Sequence, residues 1–490
     1  MSGAHAPDQP AGGPPEVAET HVSWVVMLGD RAYKLLKPVD LGFLDHRSRE
    51  SRAHACRRET EVNRRFAPDV YLGVLDVLDE DGRPRDHLIE MRRMPAERRL
   101  SALLATDNAV LHVEDVARAV AAIHRAAPRS PEISRAGEPA SVIANWRQGL
   151  AQVDEVAGDL LAAGERRRVA ELAMGYLEFR DGLLARRIDE GWVRDGHGDL
   201  LCDDVFCLDD GPRLLDCLAF DDRLRHADVL ADAAFLAMDI EAHGSAGLGR
   251  RMLEIWSRAL GEAHPASLAD LYVAYRAHVR AKVACLRRAQ GDEHAAREAR
   301  RLHALCLRHL ERGRVRLVLI GGAPGTGKST VAAGLSQRMG WTVLRSDTAR
   351  RSLLGPADPT GEAAYGEGRY APERRAEVYA ARIKEAGRRL ALGESVILDA
   401  SWSAALARDR ARQVAAATRS ELIEIRCEAP AAVGRDRIAD RAARGEDPSE
   451  ATPEIASRLA TDADPWPRAT TLDTNRSLYE TLADALALVA

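Results

Sequence analysis

Gly322-Ala323-Pro324-Gly325-Thr326-Gly327-Lys328-Ser329 satisfies the pattern GxxxxGK[ST] in full, and its flanks decide how it is read. The run Val315–Ile320 before it is apolar enough for a buried strand, and Lys328–Met339 after it carries a helical pattern. Glycines let successive backbone N–H groups turn inward around phosphate oxygens, where a Cβ would obstruct them. The helix start adds its partial positive charge. Lys328 then reaches the β- and γ-phosphates, the Ser329 hydroxyl is placed for Mg²⁺, and Thr330 completes the first turn. The stretch predicts a nucleotide triphosphate site.

Downstream, strands are expected at Thr342–Arg345, Ser395–Leu398, Glu421–Arg426 and Thr470–Leu472, with helical segments between them. That rhythm calls for a parallel sheet covered on both faces. Asp347, at the end of the first of these strands, faces the crevice where ligands bind in such sheets. There it can take a hydroxyl proton during in-line attack on a γ-phosphate, or it can simply cap the next helix. Arg350 is placed to hold an anionic group on the acceptor. Val396-Ile397-Leu398-Asp399 reads as an apolar strand ending in a carboxylate, which suits Asp399 to Mg²⁺ or a water, or to a strand-end cap. Arg437, Arg441 and Arg444 share one helical face that either folds over the phosphoryl oxygens or lies in solvent.

The 490 residues are 46% hydrophobic, 30% charged and 4% aromatic, which suits several globular domains and excludes collagen-like or largely disordered chains. No aliphatic run approaches the roughly 20 residues that span a bilayer, and no secretory signal is apparent at the start. The 7 cysteines form no CxxC pair. Reduced thiols and a cytoplasmic location are therefore expected. A net charge of −5 does not advertise nucleic acid or membrane. Lysine occurs only at Lys34, Lys37, Lys282, Lys328 and Lys384, so nearly all of the 70 basic residues are arginine.

Before position 312 the pattern differs. Residues 1–19 read as a flexible, Gly/Pro/Ala-rich tail. Strands are expected at 21–28 and 31–37 around a Gly29-Asp30 turn, then a helix near 51–66 and a strand pair flanking Asp79–Arg85. Helices dominate 100–185 and 228–310, and short strands bracket His197-Gly198-Asp199-Leu200 and Leu214-Leu215-Asp216. A base in a loop and a metal-binding aspartate one hairpin later are what phosphotransfer on a kinase-like scaffold requires.

Two resemblances follow from these residues. The segment 312–490 resembles P-loop kinases of the zeta-toxin, polynucleotide-kinase and gluconate-kinase type, with an AAA-type ATP-binding domain. The likeness implies ATP and Mg²⁺ at Lys328 and Ser329, Asp347 as base, Arg350 at the acceptor, and Arg437 and Arg441 on the γ-phosphate. Residues 20–311 resemble aminoglycoside phosphotransferases, whose loop reads HGDxxxxN. That likeness implies a two-lobed fold with Asp199 as base, Asp216 on Mg²⁺, and Lys34 paired with Glu59 for ATP; Lys37 is the rival lysine. Here the expected Asn is Asp204, which can still bind Mg²⁺ through oxygen but adds charge, and no glycine-rich loop precedes Lys34.

The expected whole is an α/β and α+β multidomain protein: a kinase-like domain at 20–311 fused to a P-loop domain at 312–490. The expected activity is transfer of the ATP γ-phosphate to a hydroxyl of a small molecule by the second domain, with the first a possible second active site. A polynucleotide end is the weaker acceptor, because the basic stretches lack interleaved aromatics. Alternatives are an ATP-hydrolysing switch coupled to a non-catalytic N-terminal binding module, and an amino-sugar-type kinase working through the first domain. Asp347 discriminates between the first two, since a switch needs a positioned water and not a base at an acceptor.

Overall fold

The computed structural model describes residues 15–40, 42, 44–348, 371–444 and 453–489. The chain divides into two compact units, and they interleave along the sequence. The first comprises Met1–Ala162, Ala185–His264 and Tyr272–Cys306; the second comprises Ala163–Leu184, Pro265–Leu271 and Leu307–Ala490. A single cut at 311/312 thus leaves out two earlier segments that associate with the P-loop sheet.

The first unit opens with strands β1 (Glu16–Glu19), β2 (Ser23–Leu28) and β3 (Arg31–Leu36), followed by helix α1 (Arg49–Asn63), β4 (Tyr71–Leu78) and β5 (Pro84–Arg92). They form an antiparallel sheet in the order β1-β2-β3-β5-β4. Strand β1 corrects the expectation of a flexible tail through residue 19. Its four residues are all exposed, so no alternation marks them, but they pair with β2 from Glu16↔Met27 to Glu19↔Trp24. Ionic contacts from Lys37 to Glu19 and from Arg93 to Glu16 hold the strand at this edge. Helix α1 starts where the Ser48 hydroxyl accepts from the Ser51 amide at 3.0 Å, an ordinary N-cap. Cys56 of α1 packs with Leu36, Tyr71, Ile89, Phe206 and Leu215, which joins helix and sheet to the segment carrying Asp216.

That segment is built from four short strands, β6 (Val193–Asp195), β7 (Val205–Leu208), β8 (Gly211–Leu214) and β9 (His226–Asp228). β7 and β8 form a hairpin, and β6 pairs with β9. His197 to Asp204 lies between β6 and β7, and Asp216 follows β8 by two residues.

In the second unit, β10 (Arg316–Gly321), β11 (Thr342–Arg345), β12 (Val396–Asp399), β13 (Glu421–Glu428) and β14 (Thr470–Asp473) make a parallel sheet in the order β11-β12-β10-β13-β14. Side chains alternate across it. Leu317, Leu319, Val396 and Leu398 pack with Ile383, Leu390 and Ala411 on one face. Val318, Ile320, Ile397 and Ile425 pack with Val331, Leu335 and Val489 on the other. A strand buried on both faces reads as an unbroken apolar run, and that is why Leu317–Ile320 was legible.

Candidate functional site

The P-loop leaves the end of β10, the central strand, and runs into the helix Lys328–Met339. Two of its glycines are dictated by close approach. At Gly322 (φ 137°) a Cβ would lie 2.5 Å from the Cys427 carbonyl oxygen, and at Gly325 (φ 85°) one would lie 2.3 Å from that of Gly434. The loop is further tied by the Thr326 hydroxyl donating to the Ala323 carbonyl at 2.8 Å. Arg437 braces it: its Nη2 donates to the Thr474 carbonyl at 2.8 Å and its Nη1 to that of Gly325 at 3.4 Å. In this form that arginine is committed to backbone carbonyls. Ser329 sits half-buried in the first helical turn, and Thr330 is exposed.

Asp399 ends β12 beside Ile320 of β10 and Arg345 of β11. It is buried; Arg345 Nε donates to its Oδ2 at 3.2 Å, while its Oδ1 has no hydrogen-bond partner among the described residues. An orphaned buried carboxylate oxygen next to a phosphate cradle is the donor that Mg²⁺ or its bound water takes up. Asp347 lies two residues beyond β11, half-buried. Arg350 lies outside the described residues, as do the side chains of Arg441 and Arg444.

A second cluster occupies the first unit. Lys34 of β3 donates from Nζ to Glu59 Oε1 of α1 at 2.7 Å and to Asp216 Oδ1 at 2.9 Å. Burial works against the ammonium, but Asp216 and Glu59 outweigh it and hold its pKa well above the ordinary lysine value. The same ammonium holds Asp216 below the usual carboxylate range. Burial and the nearby Asp216 and Asp199 charges push Asp204 well up. Asp199 is pushed up by burial as well, against the pull of Arg280 and Arg276. Buried carboxylates raised in this way form a donor set that a divalent cation would relieve. Lys37 lies elsewhere: it donates to the Thr20 carbonyl at 2.6 Å and stands 4.9 Å from the Trp24 ring.

The backbone around this cluster is held by groups that sequence reasoning missed. The Asp232 carboxylate accepts from the His197 and Gly198 amides at 2.7 and 2.8 Å. The Trp256 indole donates to His124 Nδ1 at 3.0 Å, which leaves the His124 Nε2–H for Asp232 at 3.2 Å. His197 Nε2 donates to the Leu215 carbonyl at 2.9 Å, fastening the loop of Asp199 to the segment of Asp216. Asp216 itself has φ 62°, and its amide donates to the Tyr71 hydroxyl at 3.0 Å; the Cys217 amide donates to Asn63 Oδ1 at 2.8 Å. A non-glycine residue in that conformation is a strained position tied down by its surroundings. Asp232 stands 33 positions past Asp199 and Asn63 is remote in sequence, so no local spacing marks either.

Fold and clusters together define two units, one with an antiparallel sheet and a lysine–carboxylate cluster, the other with a P-loop on a parallel sheet. The AAA domain family matches residues 317–465. The chain belongs to the family of uncharacterized protein Rv2004c of Mycobacterium tuberculosis (strain ATCC 25618 / H37Rv), with 40% identity over 461 residues, 94% of this chain and 92% of that one. Solved structures similar to it include a choline/ethanolamine kinase family protein from Mesorhizobium loti, at 16% identity, 61% of this chain, 92% of that chain and a TM-score of 0.37. A gluconokinase from Sinorhizobium meliloti 1021 matches at 19% identity, 36% of this chain, 91% of that chain and a TM-score of 0.27. Among the described residues no helix is long and apolar enough to cross a membrane.

Proposed function

We propose that the second unit transfers the γ-phosphate of ATP to a hydroxyl of a small molecule. The observation that supports this most is the buried Asp399 carboxylate, with one oxygen unpartnered, at the strand end adjoining the glycine cradle. Lys328 would hold the β- and γ-phosphates, and Ser329 and Asp399 would hold Mg²⁺ directly or through water. Asp347 would take the acceptor proton, and Arg350 would hold an anionic group on the acceptor. Arg437 and Arg441 would balance charge on the transferring group, Arg437 by exchanging its carbonyl partners for phosphate oxygens.

A second active site in the first unit is favoured by the Lys34–Glu59–Asp216 contacts. There Lys34 would hold ATP phosphates, Asp204 and Asp216 would bind Mg²⁺, and Asp199 would be the base. ADP release measured across a panel of small alcohols tests both. Lys328→Ala should abolish the activity of the second unit, and Asp347→Asn should cut it by roughly 10²–10⁴-fold while ATP still binds. Activity surviving Lys328→Ala but lost in Asp199→Asn would place the chemistry in the first unit.

A further inference from the structure

The second unit contains another cavity, of about 320 Å³, at the opposite ends of its strands from the P-loop. Val315, immediately before β10, and Glu421, which opens β13, form its floor, and the helix Ala163–Leu177 walls one side. In open parallel sheets the reaction's own ligands bind at the carboxyl ends of the strands, so this space lies away from the catalytic crevice.

Its lining is unusually basic. Arg168, Arg180, Arg314 and Arg419 contribute to it against Glu171 and Glu421. Arg314 is paired with Glu311 and Glu421, and Arg168 with Glu311. The other two differ. Arg180 is 1% exposed, yet it meets no carboxylate among the described residues: its Nη1 donates to the Phe179 and Thr418 carbonyls at 2.8 and 2.9 Å, and its Nε has no partner. Arg187 and Arg225, equally buried, are each ion-paired to two carboxylates. Burial lowers the pKa of Arg180, with the Tyr176 phenol as its only counterweight. A buried guanidinium without an anion is a costly arrangement.

Arg419 is exposed at the cavity rim and has no ion pair among the described residues. Its φ is 48°, a conformation that glycine or asparagine ordinarily fills. Its side chain reaches Gly175 across the cavity, where an added Cβ would stand in ordinary contact, 3.8 Å from Arg419 Nε. That conformation closes the helix Ala405–Ala417, with the Ser420 amide donating to the Ala415 carbonyl at 2.8 Å, and it sets the unpaired guanidinium at the rim.

We propose that this cavity binds a phosphate-bearing small molecule, with Arg180 and Arg419 presenting the two unpaired guanidinium forks. Phosphate is the anion that such planar forks match with paired hydrogen bonds. Arg168 and Arg314 are balanced by Glu311 and Glu421, whereas Arg180 and Arg419 contribute two positive charges that a phosphate dianion balances. The volume suits a small metabolite and not a polymer.

The test is calorimetric titration of inorganic pyrophosphate, without magnesium, into the full chain carrying Lys328→Ala and Lys34→Met, which silences both phosphate sites already described. One saturable site should remain. Arg419→Gly removes a guanidinium and relieves the left-handed strain, so the variant folds; it should weaken the site by about tenfold or more, the scale of a charge-assisted hydrogen bond. Arg180→Gln should weaken it further. Absence of the residual site, or equal affinity in the Arg419→Gly chain, would overturn the proposal.

Discussion

Gly325→Ala isolates the part of the P-loop that geometry alone explains. The new methyl would stand 2.3 Å from the Gly434 carbonyl oxygen and 2.9 Å from the Gly434 carbonyl carbon, at φ 85°. Backbone cannot swing aside as a side-chain end can, so loop and helix Ala431–Arg444 must separate by about 1 Å to reach an ordinary 3.4 Å contact. The left-handed conformation costs about 1–2 kcal/mol for alanine, and overpacking of this kind about 1–3 kcal/mol more. Gly340→Ala is the matched control: φ is 71°, and nothing lies within 4 Å of the added Cβ. Gly340→Ala should therefore lose about 1–2 kcal/mol of stability and Gly325→Ala about 2–5 kcal/mol, and only Gly325→Ala should also displace the cradle. Binding of a fluorescent ATP analogue, read in a Lys34→Met background, should weaken at least tenfold in that variant, since about 1.4 kcal/mol is a decade. Equal affinity in the two alanine variants would refute the assignment of this approach to phosphate binding.

Three further outcomes test the first unit. Glu59→Gln leaves Lys34 with Asp216 alone; nucleotide affinity of the first unit should fall about tenfold or more, checked by titration of the Lys328→Ala chain, as expected for one charge-assisted contact. Because burial and the charges of neighbouring carboxylates raise Asp199 and Asp204, Mg²⁺ must displace protons there, so Mg²⁺ affinity should tighten as pH rises. Asp204→Asn should flatten that dependence, measurable by calorimetry in buffers of different ionisation enthalpy. Burial depresses His278 from 6.5 to about 4. Between those values the unfolded chain binds the extra proton, so stability is full above about pH 6.5 and declines as pH falls toward 4. The loss is about 2 kcal/mol by pH 5, at about 1.4 kcal/mol per unit. NMR titration of the imidazole proton signals, with His278→Phe as reference, checks it; a midpoint near 6.5 would refute the burial argument.

What could be read ahead of the structure was what is local. Leu317–Ile320 and Val396–Leu398 announce strands because both faces are buried, and the glycines between 322 and 327 announce the turn because the pattern is contiguous. β1 could not be read, since Glu16–Glu19 gains its order only from the edge of β2 and from Lys37 and Arg93. The same distinction divides the site residues. Asp199 and Asp216 lie in recognisable strings, whereas Asp232, His124 and Trp256 form a relay that exists only after helices far apart in sequence have packed.

That relay bears on the substitution of Asp204 for the expected asparagine. An additional carboxylate in a half-buried cluster would ordinarily push the loop apart by like-charge repulsion. Here the Asp232 carboxylate holds both the His197 and Gly198 amides, and His197 in turn fastens Leu215 beside Asp216. The backbone positions of the carboxylates are therefore set by neutral and charge-assisted hydrogen bonds that do not involve the Asp204 side chain, whose own carbonyl accepts from the Leu215 amide at 2.9 Å. Burial and the neighbouring carboxylate charges then appear as raised pKa values at Asp199 and Asp204 and not as an opened site. Asp232→Asn removes an acceptor from one of the two amides. If the relay carries the load, that variant should lose Mg²⁺-dependent nucleotide binding in the first unit while Lys34 and Glu59 remain paired; unchanged binding would leave the loop's stability to packing alone.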